Sequence, residues 1–181
     1  MTALLMLYRR LVVAVEAMDW LLPTAARAVF AAVLLGYFWA SAATKLTGVF
    51  TPSAGAYAQI FPRLSEAVGY DASQLGLWPH LVVLAGSWAE VLLPALIVAG
   101  LFTRLAALGM VGFVVMQSLT DIYGHLAGPE TVGAWFDSRS DALILDQRAL
   151  WTLLFVVLIV KGAGPISADR GLCRVFDRVA A

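Results

Sequence analysis

Residues 80–123, HLVVLAGSWAEVLLPALIVAGLFTRLAALGMVGFVVMQSLTDIY, decide the fold. They hold two apolar runs, 80–102 and 105–123, divided only by Thr103 and Arg104. A helix that crosses a bilayer needs about 20 mostly apolar residues. Hydrocarbon offers no partner to backbone N–H and C=O groups, so each run must satisfy them internally, as a helix. The two-residue connection makes the runs antiparallel neighbours with Arg104 at the turn. Working outward, two further candidates appear, 28–49 before this stretch and 149–163 after it. The last is short and gains length if it starts at Ala142. The expectation is an all-α fold in one domain, residues 1–181. It is an integral membrane four-helix bundle with flanking interfacial amphipathic helices.

Composition points the same way. The 181 residues are 61% hydrophobic and 13% charged, against about 25% charged in soluble domains. Twelve basic and twelve acidic residues balance to a net charge of zero, so nothing in the charge invites nucleic acid. The single cysteine, Cys173, excludes an intramolecular disulfide and a CxxC motif. Met1 to Leu7 carry no basic n-region, and Arg9 and Arg10 interrupt the apolar run. No cleavable signal is expected, and the first span serves as the targeting signal.

Charge placement sets the expected orientation, because basic residues favour the cytoplasmic side of short connections. Arg9, Arg10 and Arg27 precede the first span, Arg104 sits in the turn, and Lys161, Arg170, Arg174 and Arg178 follow the fourth. The opposite loops place Arg63, Arg139 and Arg148 among Glu66, Asp71, Glu130, Asp137, Asp141 and Asp146. Both termini are therefore expected in the cytoplasm. Ala168, Leu172, Val175, Phe176 and Val179 recur at helical spacing opposite Arg170, Arg174 and Arg178. Ser167 suits the N-cap of that helix and Asp169 its positive end, and the whole suits an interface with anionic lipid. The stretch 4–20 is similar, with Pro23 separating it from the first span. In the first loop, Tyr57, Ile60, Phe61, Leu64, Val68 and Tyr70 accompany Pro62, a helix starter. With Trp135 and Phe136 in the second loop, they read as segments capping the bundle or as a docking surface.

Glu90 is the most informative residue. A carboxylate at bilayer depth costs several kcal/mol and faces the bundle interior with a partner. Its role is functional, or it is a structural ion pair or a protonated acid bonded to a neighbouring helix. Lys45 is the expected partner, across an axial gap of about 9 Å if both helices end level; otherwise it snorkels outward. Gln117, Thr120, Asp121 and Gly124 share a face of the third span, with His125 just beyond and His80 at the same level. These residues predict a ring of ionisable groups around one mouth of the bundle. No HxxxH-type ligand pair supports a metal. Ala32, Gly36, Ala40 and Thr44 form a small-xxx-small ladder on the first span, Gly86 shares a face of the second with Glu90 and Pro94, and such ladders predict close helix contact. Pro94 also frees a backbone carbonyl on its helix.

The stretches LLGYFWASAATKL, AEVLLPALIVAGLFTRLAALGM and KGAGPISAD, in this order, resemble the DoxX family of small bacterial membrane proteins. They also resemble its relative, the DoxD subunit of thiosulfate:quinone oxidoreductases. Lys45, Glu90, Arg104, Gly162, Gly164, Ser167 and Asp169 are the matching positions. The resemblance implies a four-helix bundle in the bacterial inner membrane, linked to quinone-dependent redox enzymes or oxidative stress, and it transmits no catalytic residues. The extra N-terminal segment and longer loops depart from the shortest DoxX pattern and lean towards DoxD. The leading expectation is a membrane subunit of a quinone-linked oxidoreductase. Quinone, the expected cofactor, would be bound by Glu90, Lys45, Gln117, Asp121 and His80. The partners expected are membrane lipid and either a second protein or another copy. The alternative is a non-enzymatic scaffold or assembly factor. A solute carrier is disfavoured by the lack of an inverted repeat.

Overall fold

The computed structural model describes residues 2–179, and side chains over 4–174. Four helices are long and apolar enough to cross a membrane: Leu21–Lys45, Leu77–Ala99, Thr103–Gly124 and Leu143–Lys161. The all-α expectation holds, but every span is displaced from its predicted ends. The first begins at Leu21 because Pro23 sits in its opening turn, where a missing N–H costs nothing. Proline starts this helix instead of separating it from the preceding one. The span stops at Lys45, where Ser53 takes over the freed carbonyls. The Ser53 hydroxyl donates to the Thr44 carbonyl at 2.8 Å and its N–H to the Lys45 carbonyl at 2.7 Å. Beyond it, Leu46–Gly48 pairs antiparallel with Thr51–Pro52, and the Trp88 indole pins this ribbon to the second span through the Val49 carbonyl at 2.7 Å. The fourth span starts at Leu143, which places Arg148 inside the helix and not in an outer loop.

The spans form a ring. The first packs on the fourth through its opening half and on the second through its closing half, while the third contacts both second and fourth. Phe30, Leu34, Phe38, Ile97, Ala107, Met110, Phe155 and Leu158 fill the core. Phe30 meets Phe155 edge-on at 5.8 Å between ring centres. Because lipid is as apolar as the core, such packing, and not water exclusion, holds the helices together. The expected ladder on the first span is a misreading. Ala32, Gly36, Ala40 and Thr44 are exposed, and the packed face is Phe30, Leu34, Phe38 and Ala42. Close approach occurs instead at Gly109, where a Cβ would stand 3.1 Å from the Leu93 side chain.

Two regions flank the ring. At the loop end, helices Ala54–Ile60 and Pro62–Ala67 lie over the bundle, Pro62 opening the second as expected. Ala56, Tyr57, Leu75 and Val83 form a second small core beneath them, so this loop caps the bundle. At the opposite end lie helices Thr2–Glu16 and Ala168–Val179. Ser167 caps the latter, accepting from the Arg170 N–H at 3.2 Å. The side chains of Val175, Phe176, Arg178 and Val179, part of the predicted amphipathic face, lie outside the described residues. Asp169 does more than favour its own helix. Its two carboxylate oxygens accept from the Phe102 and Thr103 N–H groups at 2.7 and 3.0 Å, capping the third span. Beside it, Arg27 donates to the carbonyls of Ile97, Val98, Ala163 and Ile166. Gly100 (φ +68°) ends the second span within this knot, and a Cβ there would lie 2.6 Å from Ser167 and 2.8 Å from Arg27. Only glycine fits, for both its backbone angle and its clearance.

Candidate functional site

Lys45 and Glu90 meet directly. The ammonium donates to both carboxylate oxygens at 2.9 Å and to the Ser41 hydroxyl at 2.5 Å. The Ser41 hydroxyl in turn donates to Glu90 Oε1 at 3.3 Å. Lys45 is 6% exposed and Glu90 3%, so neither snorkels to the surface. The predicted axial gap vanishes because the helix ends are not level. The first span stops at Lys45, and the ribbon and capping helices fill the layer above it. All three ammonium hydrogens are engaged, and the carboxylate is held against a cation and a hydroxyl. Such an arrangement offsets the several-kcal/mol cost of each buried charge only while it stays complete.

The pair lies in the wall of a cavity of about 760 Å³ between the first, second and third spans, roofed by Gln59, Ile60 and Phe61. That volume suits a small organic ligand. The walls are open because small residues line them, Ala85, Gly86 and Ala89 on the second span and Gly109 and Gly112 on the third. Gln117 also lines the cavity. Its amide nitrogen donates to the Tyr37 hydroxyl at 3.0 Å, and its Oε1 is buried without a partner.

The predicted ionisable ring resolves into separate pairs. Asp121 lines the cavity but accepts from Arg148 at 2.6 Å. Arg148, 3% exposed, also donates to the Ser118 hydroxyl at 3.0 Å. Both partners sit at π-turns, Asp121 within Thr120–Gly124 and Arg148 directly after Leu143–Gln147. These wider turns often mark functional positions. His125 also lines the cavity, and its Nε2 donates to the Gln59 carbonyl at 2.9 Å. His80 is not among the lining residues. Its Nδ1 lies 2.6 Å from the Tyr57 hydroxyl, and burial pushes that phenol above its ordinary pKa of 10.0.

The structure thus gathers Lys45, Glu90, Gln117 and Asp121 around one space and leaves His80, at the start of the second span, outside it and bonded to Tyr57 of the capping helix. Sequence reasoning missed Ser41 and Arg148. Ser41 was detectable as the hydroxyl one turn before Lys45, and Arg148 as a cation six residues into the longer version of the fourth span.

A sequence model of the DoxX family matches residues 22–121. The chain belongs to the DoxX family. The match spans the first three transmembrane helices, and so includes Lys45, Glu90, the small-residue walls and Gln117. The run 161–169 falls beyond it, although Arg27 and Asp169 tie that run to the matched helices. Comparison with curated proteins and with solved structures gives no match. Membership in the family and four apolar helices make this a multi-pass membrane protein.

Proposed function

We propose that this DoxX chain is the membrane subunit of a quinone-linked oxidoreductase system and seats a quinone ring in the cavity beside Glu90. The observation that carries the reading is the combination of apolar, small-residue walls with a buried charged cluster, Lys45–Glu90–Ser41, at membrane depth. A quinone has an apolar body and polar oxygens at its edge, and pockets for such molecules are greasy with a few placed polar groups. In the reduced, quinol form the ring hydroxyls would donate to Gln117 Oε1, which lacks a partner, and to Glu90, and Ala89 and Gly112 would face the ring plane. Bound quinone supplies two-electron, two-proton chemistry. Asp121 and His125 line the cavity between Glu90 and the loop end, where a proton could be exchanged with that side. With one cysteine in the chain, no thiol pair is present to deliver electrons, so they come from a partner protein or from the oxidised substrate.

The loop end, on this reading, faces away from the cytoplasm and both termini face into it. A reporter enzyme active only outside the cytoplasm should work when inserted near Asp137 and fail when fused after Ala181. The reverse pattern would overturn the orientation. For the ligand, the test is purification in mild detergent followed by solvent extraction and quinone detection. The wild type should retain quinone and Glu90→Leu should not. Near-zero quinone in both, with no saturable binding of an added short-chain quinone, would favour the scaffold reading instead.

A further inference from the structure

The lipid-facing surface of the bundle carries a notch, and it leads into the cavity. On the second span, Leu81, Ala85, Ala89 and Leu92 fall on one stripe by helical spacing. Leu81 and Leu92 are exposed, as membrane-facing leucines should be. On the third span, Leu108, Gly112, Val115 and Leu119 form the matching stripe, again with exposed large residues at both ends. Between those large residues the side chains shrink to Ala85, Ala89 and Gly112, and all three line the cavity. At 1.5 Å per residue, Ala85 and Ala89 lie about 12–18 Å from the start of the second span at Leu77, and Gly112 about 18 Å from the end of the third at Gly124. The small residues of the two helices therefore stand at one depth and form a single window. A Cβ on Gly112 would meet nothing within 4 Å, so the gap is open space and not a helix contact. Met116, 62% exposed, also lines the cavity and edges the same opening.

We infer that the ligand reaches the Glu90 cluster sideways from the bilayer, through this window between the second and third spans, and leaves its hydrocarbon tail there in the lipid. The chemical class is a polar ring or head group on a long apolar chain, dissolved in the membrane and not in water. Two observations carry the assignment together. The cavity runs from the buried ion pair to the membrane-facing surface, and on the second and third spans exposed large residues give way to small ones where the cavity meets that surface. A ligand arriving from water would need no gap at this depth. A tail passing outward would need small side chains in its path, and Ala85, Ala89 and Gly112 stand there, with Met116 at the edge. The identity of the head group rests on the proposed function, whereas the route does not.

The experiment compares two probes on the purified full-length protein, a benzoquinone with a long isoprenoid tail and the same ring without it. The variant Ala85→Leu fills the mouth of the window while leaving Lys45, Glu90 and Ala89 in place. Wild type should bind both probes. The variant should lose at least tenfold in affinity for the tailed probe and keep its affinity for the tail-less ring within threefold. A second measurement, made on wild type alone, uses a photoreactive group on the tail, which should label the segments around Ala85 and Met116. Unchanged tailed binding in the variant, equal loss of both probes, or labelling confined to the loop end would overturn the route and leave the quinone reading standing. Wild type that binds the tail-less ring but not the tailed one would do the same. Binding of neither probe by wild type would end both.

Discussion

Arg27 and Lys45 stand near opposite ends of one helix, and their charges are satisfied in different ways. Arg27 gives its hydrogens to backbone, the carbonyls of Ile97, Val98, Ala163 and Ile166, with Asp169 close by capping the next helix. Every group there closes a chain end, and a glycine is required for clearance. Lys45 gives its hydrogens to side chains, Glu90 and Ser41, and the cluster borders an open cavity. The first arrangement fills space and the second leaves it. A charge that caps carbonyls has a complete structural explanation, while a buried ion pair beside empty volume does not stabilise a fold better than apolar packing would. The contrast separates a structural knot at the terminal end from the proposed ligand site in the other half.

The largest expected effect comes from breaking the buried pair. Lys45→Ala should lower stability in mild detergent by about 3–5 kcal/mol, since it strands a carboxylate away from water. Adding Glu90→Leu to the same chain should recover most of that loss, because no charge then remains. A double variant as unstable as the single one would mean that Lys45 acts through packing. Arg27→Ala should cost somewhat less, about 2–3 kcal/mol. Arg27 is only half-buried, and interfacial water can reach part of the freed carbonyls. Ligand binding by the surviving folded protein should be unchanged, and its loss would erase the distinction between the two regions.

Glu90→Gln should destabilise less than Lys45→Ala, about 1–2 kcal/mol. The amide oxygen still accepts from Lys45 and Ser41, and the remaining cation has a flexible stem with which to relax. Unfolding by denaturant in detergent, with both variants measured side by side, checks the order. Glu90→Gln as the more damaging change would show that the ammonium, not the carboxylate, is the charge that cannot stand alone.

The number and order of spans were legible because length and apolarity alone report them. The Lys45–Glu90 contact was legible for a related reason, in that a lone carboxylate at that depth demands a cation and the first span offers one. Span ends were harder, since Pro23 reads as a breaker unless the helix is known to begin there. Drawing the fourth span from residue 149 left Arg148 in a loop, although in the folded chain it pairs with Asp121 inside the bundle. The caps made by Arg27 could not be read at all, because their acceptors are backbone carbonyls far along the chain that come together only when the bundle closes. Small-residue spacing misled on the first span, where aromatic rings supply the contact, while on the third span Gly109 marks a close contact and Gly112 open space. Spacing alone does not say which of these a glycine serves.

The smallest effect sharpens the comparison by loosening the loop end alone. Asp71 opens the short turn Ala72–Gln74 that leads into the second span. Its carboxylate accepts from the Ser73 hydroxyl at 2.6 Å, the Gln74 amide at 3.0 Å and the Ser73 N–H at 3.0 Å. Those bonds, the Ser73 hydroxyl first, hold its pKa below the ordinary 3.8. A carboxyl whose folded pKa is depressed adds stability that is complete above the unfolded value and disappears as pH falls through the folded one. The turn should therefore be firm at neutral pH, and the Ser73 amide should lose protection from hydrogen exchange only below the ordinary carboxylate range. Because Asp71 is exposed, the global melting temperature should hardly respond. Asp71→Asn should abolish the pH dependence of Ser73 protection, since an amide neither gains nor loses a proton there. Protection that still collapses in acid in Asp71→Asn would move the responsible group elsewhere in the capping layer, with Glu66 the nearest acidic residue in sequence to examine.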